Sequence, residues 1–229
     1  TAYEIVDCDW SSDVCSSDLG SVGSRWYIRI WGAAPAIAMK FSQDWFSHNI
    51  PTFEHIMKVL PAKQNFLEIG CFEGRASCWM LQEGLNPDGK LTCIDTFEGS
   101  EEHAKMGLEL SDLYDTFRQN VESAKGEAQQ VRAIKGKSYD GLAALIIEGA
   151  QFDFIYVDGS HTAPDVMIDA CMAIGLLKQG GIMLFDDYLW QDMPGLLHRP
   201  KLAVDLFVTL FSEKSNLIMI GHQVAIQKH

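Results

Sequence analysis

The 229-residue chain is poor in basic residues: 18 lysines and arginines stand against 31 aspartates and glutamates, for a formal charge of −13. The few cations are scattered and form no patch, which argues against a nucleic-acid partner, since a phosphate backbone would be repelled. Six cysteines are present, none in C-x-x-C spacing, so neither a zinc framework nor a disulfide framework is indicated. Cys71, Cys78, Cys93 and Cys171 fall in or beside expected strands and helices. They read as reduced core or near-turn residues of a cytoplasmic protein. Long apolar runs are missing too: the longest are broken by Glu148 and Asp153, so no membrane span is expected. Internal repeats and low-complexity segments are absent.

The first residues read differently from the rest. Thr1 to Ile5 and Asp9 to Leu19 resemble the translation of a common short-read sequencing adapter, with the residues between them fitting a variable index. Residues 1–38 are therefore expected to be a non-native, disordered leader, with Met39 as a plausible native start, and are left out of the fold. They contribute five acids and two arginines, so the remainder still carries −10. Residues 39–229 fit one domain with a substantial core.

Within that domain strands and helices alternate. Strands are expected near 66–70, 91–95, 131–135, 152–158 and 181–186. Helices are expected near 52–60, 75–85, 111–124, 139–148, 163–177 and 200–212. The strands are continuously apolar, as in a parallel sheet covered on both faces. Leu217 to Ile220 and Gln223 to Gln227 flank Gly221-His222 and predict a closing antiparallel hairpin. The fold class is thus α/β, a doubly wound, mostly parallel sheet ending in a hairpin. Its first strand runs into Leu67-Glu68-Ile69-Gly70-Cys71-Phe72-Glu73-Gly74, a glycine turn leading to a helix. A dinucleotide site would carry G-x-G-x-x-G. Here the middle glycine is missing and Glu68 adds negative charge, which suits a ligand with an amine or other cationic group. A nicotinamide-dependent oxidoreductase is disfavoured on these grounds.

This E-x-G-x-x-x-G pattern resembles motif I of class I S-adenosylmethionine (SAM) methyltransferases. The resemblance implies that Gly70 and Gly74 shape the approach to the cofactor's methionine portion and that Glu68 tends its amino group. Asp95, a carboxylate at the end of an apolar strand, would hold the ribose hydroxyls. Thr96 and Phe97 would flank the adenine, as would Ser138, for which a helix N-cap is the alternative.

The catalytic candidates lie at two neighbouring strand ends. One strand ends in Asp158-Gly159-Ser160-His161 and the next in Asp186-Asp187. Three close carboxylates repel one another unless a cation is present, and such oxygen-rich sets suit Mg²⁺. Asp158 would also border the cofactor. A histidine beside the metal can take a hydroxyl proton before methyl transfer. With Asp44-Trp45-Phe46-Ser47 and Phe185-Asp186-Asp187-Tyr188, the chain from about 41 to 227 resembles the methyltransferases that include the macrolide-sugar O-methyltransferases. That resemblance implies Mg²⁺ on Asp158, Asp186 and Asp187, with His161 as base. The pattern lacks the long auxiliary domain that precedes it in some sugar enzymes, which leaves the acceptor and any homo-oligomer open. The expectation is a SAM-dependent O-methyltransferase of a small-molecule hydroxyl. A metal-independent methyltransferase and a SAM-binding protein without catalysis are its rivals. Trp190 with residues 191–199 would roof the acceptor site, and 98–110 would form the opposite lid. Asp165 and Asp169 read as solvated. His48, His55, His103, His198 and His222 read as surface or core residues.

Overall fold

The computed structural model describes residues 38–100, 103, 105–191 and 193–229; the leader reading of residues 1–37, with Cys8 and Cys15, lies outside them. Five parallel strands form the body of the sheet: β1 Asn65–Ile69, β2 Lys90–Asp95, β3 Gln130–Lys135, β4 Phe152–Val157 and β5 Leu177–Phe185. The hairpin strands β6 Ser215–Ile220 and β7 Val224–Lys228 complete the order β3-β2-β1-β4-β5-β7-β6. β7 runs antiparallel to both of its neighbours. Strand order reverses between β1 and β4, where Phe66 pairs with Phe154 and Ile69 with Val157.

Period-two alternation distributes the side chains between two cores. Phe66, Phe154 and Tyr156 face one core, covered by α1 Ile50–Val59, α2 Arg75–Trp79 and α3 Leu113–Ala124. Leu67, Ile69, Ile155 and Val157 face the other, covered by α4 Ser138–Ile147, α5 Ala163–Leu176 and α6 Pro200–Leu210. Burial on both faces explains why these strands are continuously apolar. α1 starts with a proline in its first turn and buries Phe53, Ile56 and Met57, spaced three and four apart. Each such burial contributes about 1.5–3 kcal/mol. Phe53 meets the rings of Tyr156 and Phe154 edge-on at 4.9 and 5.8 Å, which fixes the lead-in segment to the sheet.

Two elements depart from expectation. The helix expected over 75–85 is α-helical only to Trp79 and then widens into a π turn, Met80–Gly84. The buried Gln129 side chain donates to the carbonyls of Leu81 and Asn86 at 2.8 and 3.1 Å, satisfying groups that the widened turn leaves over. β5 begins at Leu177, earlier than the expected 181, because its pairing with β4 jumps between Phe152 and Phe154. Lys178 anchors this irregular stretch to Asp153 at 2.7 Å, and Gly180 takes the left-handed turn with φ +75°. Among the described residues no helix is long and apolar enough to cross a membrane.

Candidate active site

The glycine turn after β1 is required by the backbone. Gly70 has φ +85°, and a Cβ there would overlap the Asp158 carbonyl and stand 2.6 Å from Gly159 Cα. The first and fourth strands therefore touch at the switch point, and this contact is why the position must be glycine. Gly74, at φ +81°, caps α2, and a Cβ there would press on the Phe117 ring at 2.9 Å. Between them the loop amides converge on one carboxylate. Asp95 Oδ2 accepts from the Cys71 and Phe72 amides at 2.6 and 3.0 Å, and Oδ1 accepts from the Phe97 amide at 2.6 Å. Asp95 thus stands at the sheet edge beside the loop, where the expected ribose contact would be made, and also holds the loop's shape.

Two expected cofactor contacts need correction. Glu68 is 1% exposed and turned into the core, where it accepts hydrogen bonds from the Ser77 hydroxyl and from the Cys93 thiol at 3.6 Å. Its place in the strand alternation, on the face of Phe66, dictates this. Burial raises its pKa to about 8, so it adds no negative charge to the open side of the loop at neutral pH. Phe97 is buried against Tyr114 and Phe117, with ring centroids at 4.8 and 5.0 Å, so its ring cannot flank an adenine. Thr96 remains half-buried at the edge and accepts from the Glu98 amide at 3.2 Å.

The acid ends of β4 and β5 do come together. The Asp158 amide donates to Ile69 and the Asp186 amide to Val157, at 2.8 and 3.0 Å, which aligns the three strand ends. One donor atom each from Asp158, His161 and Asp187 lies within 4.8 Å of the other two. His161 Nε2 is 2.8 Å from Asp187 Oδ2, and the imidazole packs on Trp190 at 4.5 Å between ring centroids. Burial, then the charges of Asp186 and Asp187, hold the Asp158 carboxyl well above the usual carboxylate range. A cation there would relieve that repulsion, and the oxygen-bearing donor set fits a hard divalent ion.

Asp186 is the exception. It is buried, and its Oδ2 accepts from Asn49 Nδ2 at 2.7 Å and from the Tyr156 hydroxyl. Its Oδ1 accepts from the Asp187 amide at 2.8 Å. Of the three aspartates expected to converge, the structure brings Asp158 and Asp187 together beside His161, while Asp186 is engaged from inside by Asn49 and Tyr156. The left-handed backbone of Asp187, φ +54°, turns the second acid of the pair outward.

A pocket of about 320 Å³ opens beside these acids, lined by His48, Asp186, Asp187, Leu189, Trp190 and His222 among others. Trp190, expected to help roof the acceptor site, lines this pocket. On the glycine-loop side, the Trp45 ring stacks on His103 at 5.3 Å, and Phe72 meets both rings at 5.1 and 4.8 Å. Trp45, from the segment before α1, and His103, from the expected lid, thus meet beside Phe72.

Residues 67–188, more than half of the chain, match the family model described as a methyltransferase domain. The chain belongs to this family. The methyltransferase domain is 29% identical over 136 residues to tapetum-specific methyltransferase 1 of Arabidopsis thaliana, covering 59% of this chain and 51% of that protein. The chain thus spans about half the length of the curated relatives it matches. Among solved structures it is similar to an O-methyltransferase from Bacillus cereus in complex with SAH, at a TM-score of 0.56 and 20% identity, over 83% of this chain and 84% of that one. It is also similar to the MycE methyltransferase of the mycinamycin biosynthetic pathway, solved with Mg, SAH and mycinamycin VI. There the TM-score is 0.53 at 17% identity, over 81% of this chain and 50% of that one. At these identities the structural likeness establishes the fold.

The methyltransferase domain also holds residues that its sequence conceals. His48 and His222 are exposed at the surface, as expected, and both also line the pocket, one from the turn before α1 and the other from the β6–β7 turn. Asn49, which reaches Asp186, carried no sequence signal at all. Asp169 was expected in solvent but is 2% exposed, and burial raises its pKa to about 6 although a hydrogen bond from Ser138 opposes the shift. Ser138 opens α4, and that bond directs it to Asp169. Asp165 is exposed as expected and accepts from Ser160 and Thr162 hydroxyls at 2.7 and 2.8 Å at the start of α5.

Proposed function

We propose that this chain is a SAM-dependent O-methyltransferase acting on a hydroxyl of a small molecule, with Mg²⁺ held by Asp158 and Asp187. The observation that carries the reading is the His161–Asp187 contact of 2.8 Å beside Asp158, at the edge of the pocket and one residue pair away from the glycine loop. The solved O-methyltransferase with SAH and MycE with Mg and SAH support it. When bound, the ion would make a nearby hydroxyl more acidic. The other steps belong to the chain. Asp95 and the amides of Cys71 and Phe72 form the cofactor edge of the site. His161, oriented by its contact with Asp187, takes the acceptor proton, and the carboxylate stabilises the imidazolium that results. Trp190 and the aromatic cover of Trp45, Phe72 and His103 exclude water from the sulfonium. The acidic surface and free thiols support a cytoplasmic enzyme without nucleic-acid or membrane partners.

A metal-independent transfer gains weight from Asp186, whose engagement with Asn49 and Tyr156 leaves two carboxylates for an ion instead of three. Calorimetric titration with SAM and with NAD, followed by transfer assays on a panel of diols, phenols and hydroxy acids with and without chelator, separates the readings. SAM should bind and NAD should not, and Mg²⁺ should restore transfer lost in chelator. A silent SAM titration would remove the methyltransferase activity. Full transfer in chelator would remove only the metal, leaving alignment of acceptor and methyl as the source of rate.

A further inference from the structure

Beneath the glycine loop, four polar side chains meet inside an otherwise apolar core: Glu68 from β1, Cys71 from the loop, Ser77 from α2 and Cys93 from β2. One donor atom each from Glu68, Cys71 and Cys93 lies within 4.8 Å of the other two. Cys93 Sγ is 3.6 Å from Glu68 Oε2 and 3.9 Å from Ser77 Oγ. A tetrahedral zinc with bonds of about 2.3 Å to sulfur and about 2.0 Å to oxygen has sulfur–oxygen edges of about 3.5 Å. The spacing from Cys93 to Glu68 matches that edge, whereas Ser77 is close enough to Glu68 to be its hydrogen-bond donor and not a second oxygen ligand. Burying an acid, two thiols and a hydroxyl together is costly in a core. The Ser77 hydroxyl satisfies Glu68 in part, but the two thiols make only weak bonds, to Glu68 and to the Ile94 carbonyl at 3.6 and 3.7 Å, which offset little of their own cost.

We propose that this cluster is a thiophilic cation site for Zn²⁺, with Cys71 Sγ, Cys93 Sγ and Glu68 Oε2 as ligands and the Ser77 hydroxyl donating to Glu68 from outside the coordination sphere. Zinc would displace the two thiol protons and any proton on Glu68 to solvent. Two sulfurs select against Mg²⁺, so the molecule sorts a soft ion beneath the loop from a hard ion at the acid cluster. Cys71 and Phe72 donate their amides to Asp95, and Cys93 lies two residues before it on β2. A cation joining β1, β2 and the loop would lock the loop amides onto that carboxylate. The proposal stands on this cluster alone and does not depend on the methyl-transfer reading.

The test is titration of the reduced, metal-free full chain with Co²⁺, followed by displacement with Zn²⁺ against a chromophoric chelator. One equivalent should bind with thiolate-to-cobalt charge-transfer absorbance. Cys71→Ser and Cys93→Ser should each weaken Zn²⁺ by about 100-fold or more, Ser77→Ala by about 10-fold, and the exposed Cys171→Ser not at all. Circular dichroism of each variant checks that the fold persists, and Ser77→Ala, the mildest change, keeps the test open if a cysteine variant misfolds. Absent thiolate bands would overturn the proposal. So would a Zn²⁺ affinity indifferent to both cysteines and lowered only by Asp187→Asn, since the ion would then sit at the acid cluster.

Discussion

The two halves of the sheet's carboxyl edge handle charge in opposite ways. On the β1–β2 side one carboxylate, Asp95, receives three backbone amides, and the loop around it is fixed by glycines with positive φ. On the β4–β5 side three aspartates crowd together, with Asp186 held by Asn49, Tyr156 and the Asp187 amide and Asp158 still pushed well above the usual carboxylate range by burial and by its neighbours' charge. Charge repulsion is left standing there, with the His161 imidazole 2.8 Å from Asp187. In the first half the carboxylate has its hydrogen bonds complete within the fold. The second half is under electrostatic load and gains stability from whatever positive charge reaches it.

The sharpest way to break this contrast is at the point where the halves touch. Gly70→Val puts a side chain into the Asp158 carbonyl, and it should destabilise the fold by about 4 kcal/mol or more, measured by urea melts. The cause would be backbone overlap and not lost access for the cofactor. Next in size is His161→Ala, expected to slow transfer by about 10²–10⁴-fold with SAM affinity intact. Partial recovery of rate at high pH, where the hydroxyl ionises unaided, would identify the histidine as a base. Asp95→Ala makes the complementary cut. It should weaken SAM by about 1.5–3 kcal/mol in calorimetry and also loosen the loop, because three amides lose their acceptor.

Asn49→Ala removes a donor from a buried carboxylate and should cost about 1.5–3 kcal/mol of stability. Asn49→Asp should be worse, since it sets a like charge against Asp186. Equal stability in the two variants would show that Asp186 is neutral in the folded protein. The smallest effect concerns Asp169, whose carboxyl is raised by burial from 3.8 to about 6. The folded state holds that proton more tightly than the unfolded chain. The stability it contributes is therefore fully present below about pH 4 and lost as pH rises through about 6, on the order of 2 kcal/mol. Asp169→Asn should flatten this slope in melts between pH 4 and 8.

The architecture was legible because strands buried on both faces are written as unbroken apolar runs. Gly70, Gly74, Asp95, Asp158, His161 and Asp187 were legible because they stand where such runs stop. Glu68 and Asp186 were misread although the clue was present. Alternation along β1 places Glu68 on the face of Phe66, and two consecutive acids after a strand tend to point to opposite sides. His48, Asn49 and His222 were out of reach. They come from a turn before α1 and from a hairpin tip, far apart in the chain, and no local spacing announces that the sheet's winding brings both to β5.

The placement of β7 also has a consequence for synthesis on the ribosome. It slots between β5 and β6, both of which emerge earlier. Until it arrives, the nascent chain presents β5 as a raw sheet margin, the kind of surface that recruits strands from other molecules. The turn ahead of β7 also delivers His222 and accepts the Tyr188 amide. The pocket beside the acids is therefore completed by the same event that seals the margin, so its full lining and protection from misassembly arrive together.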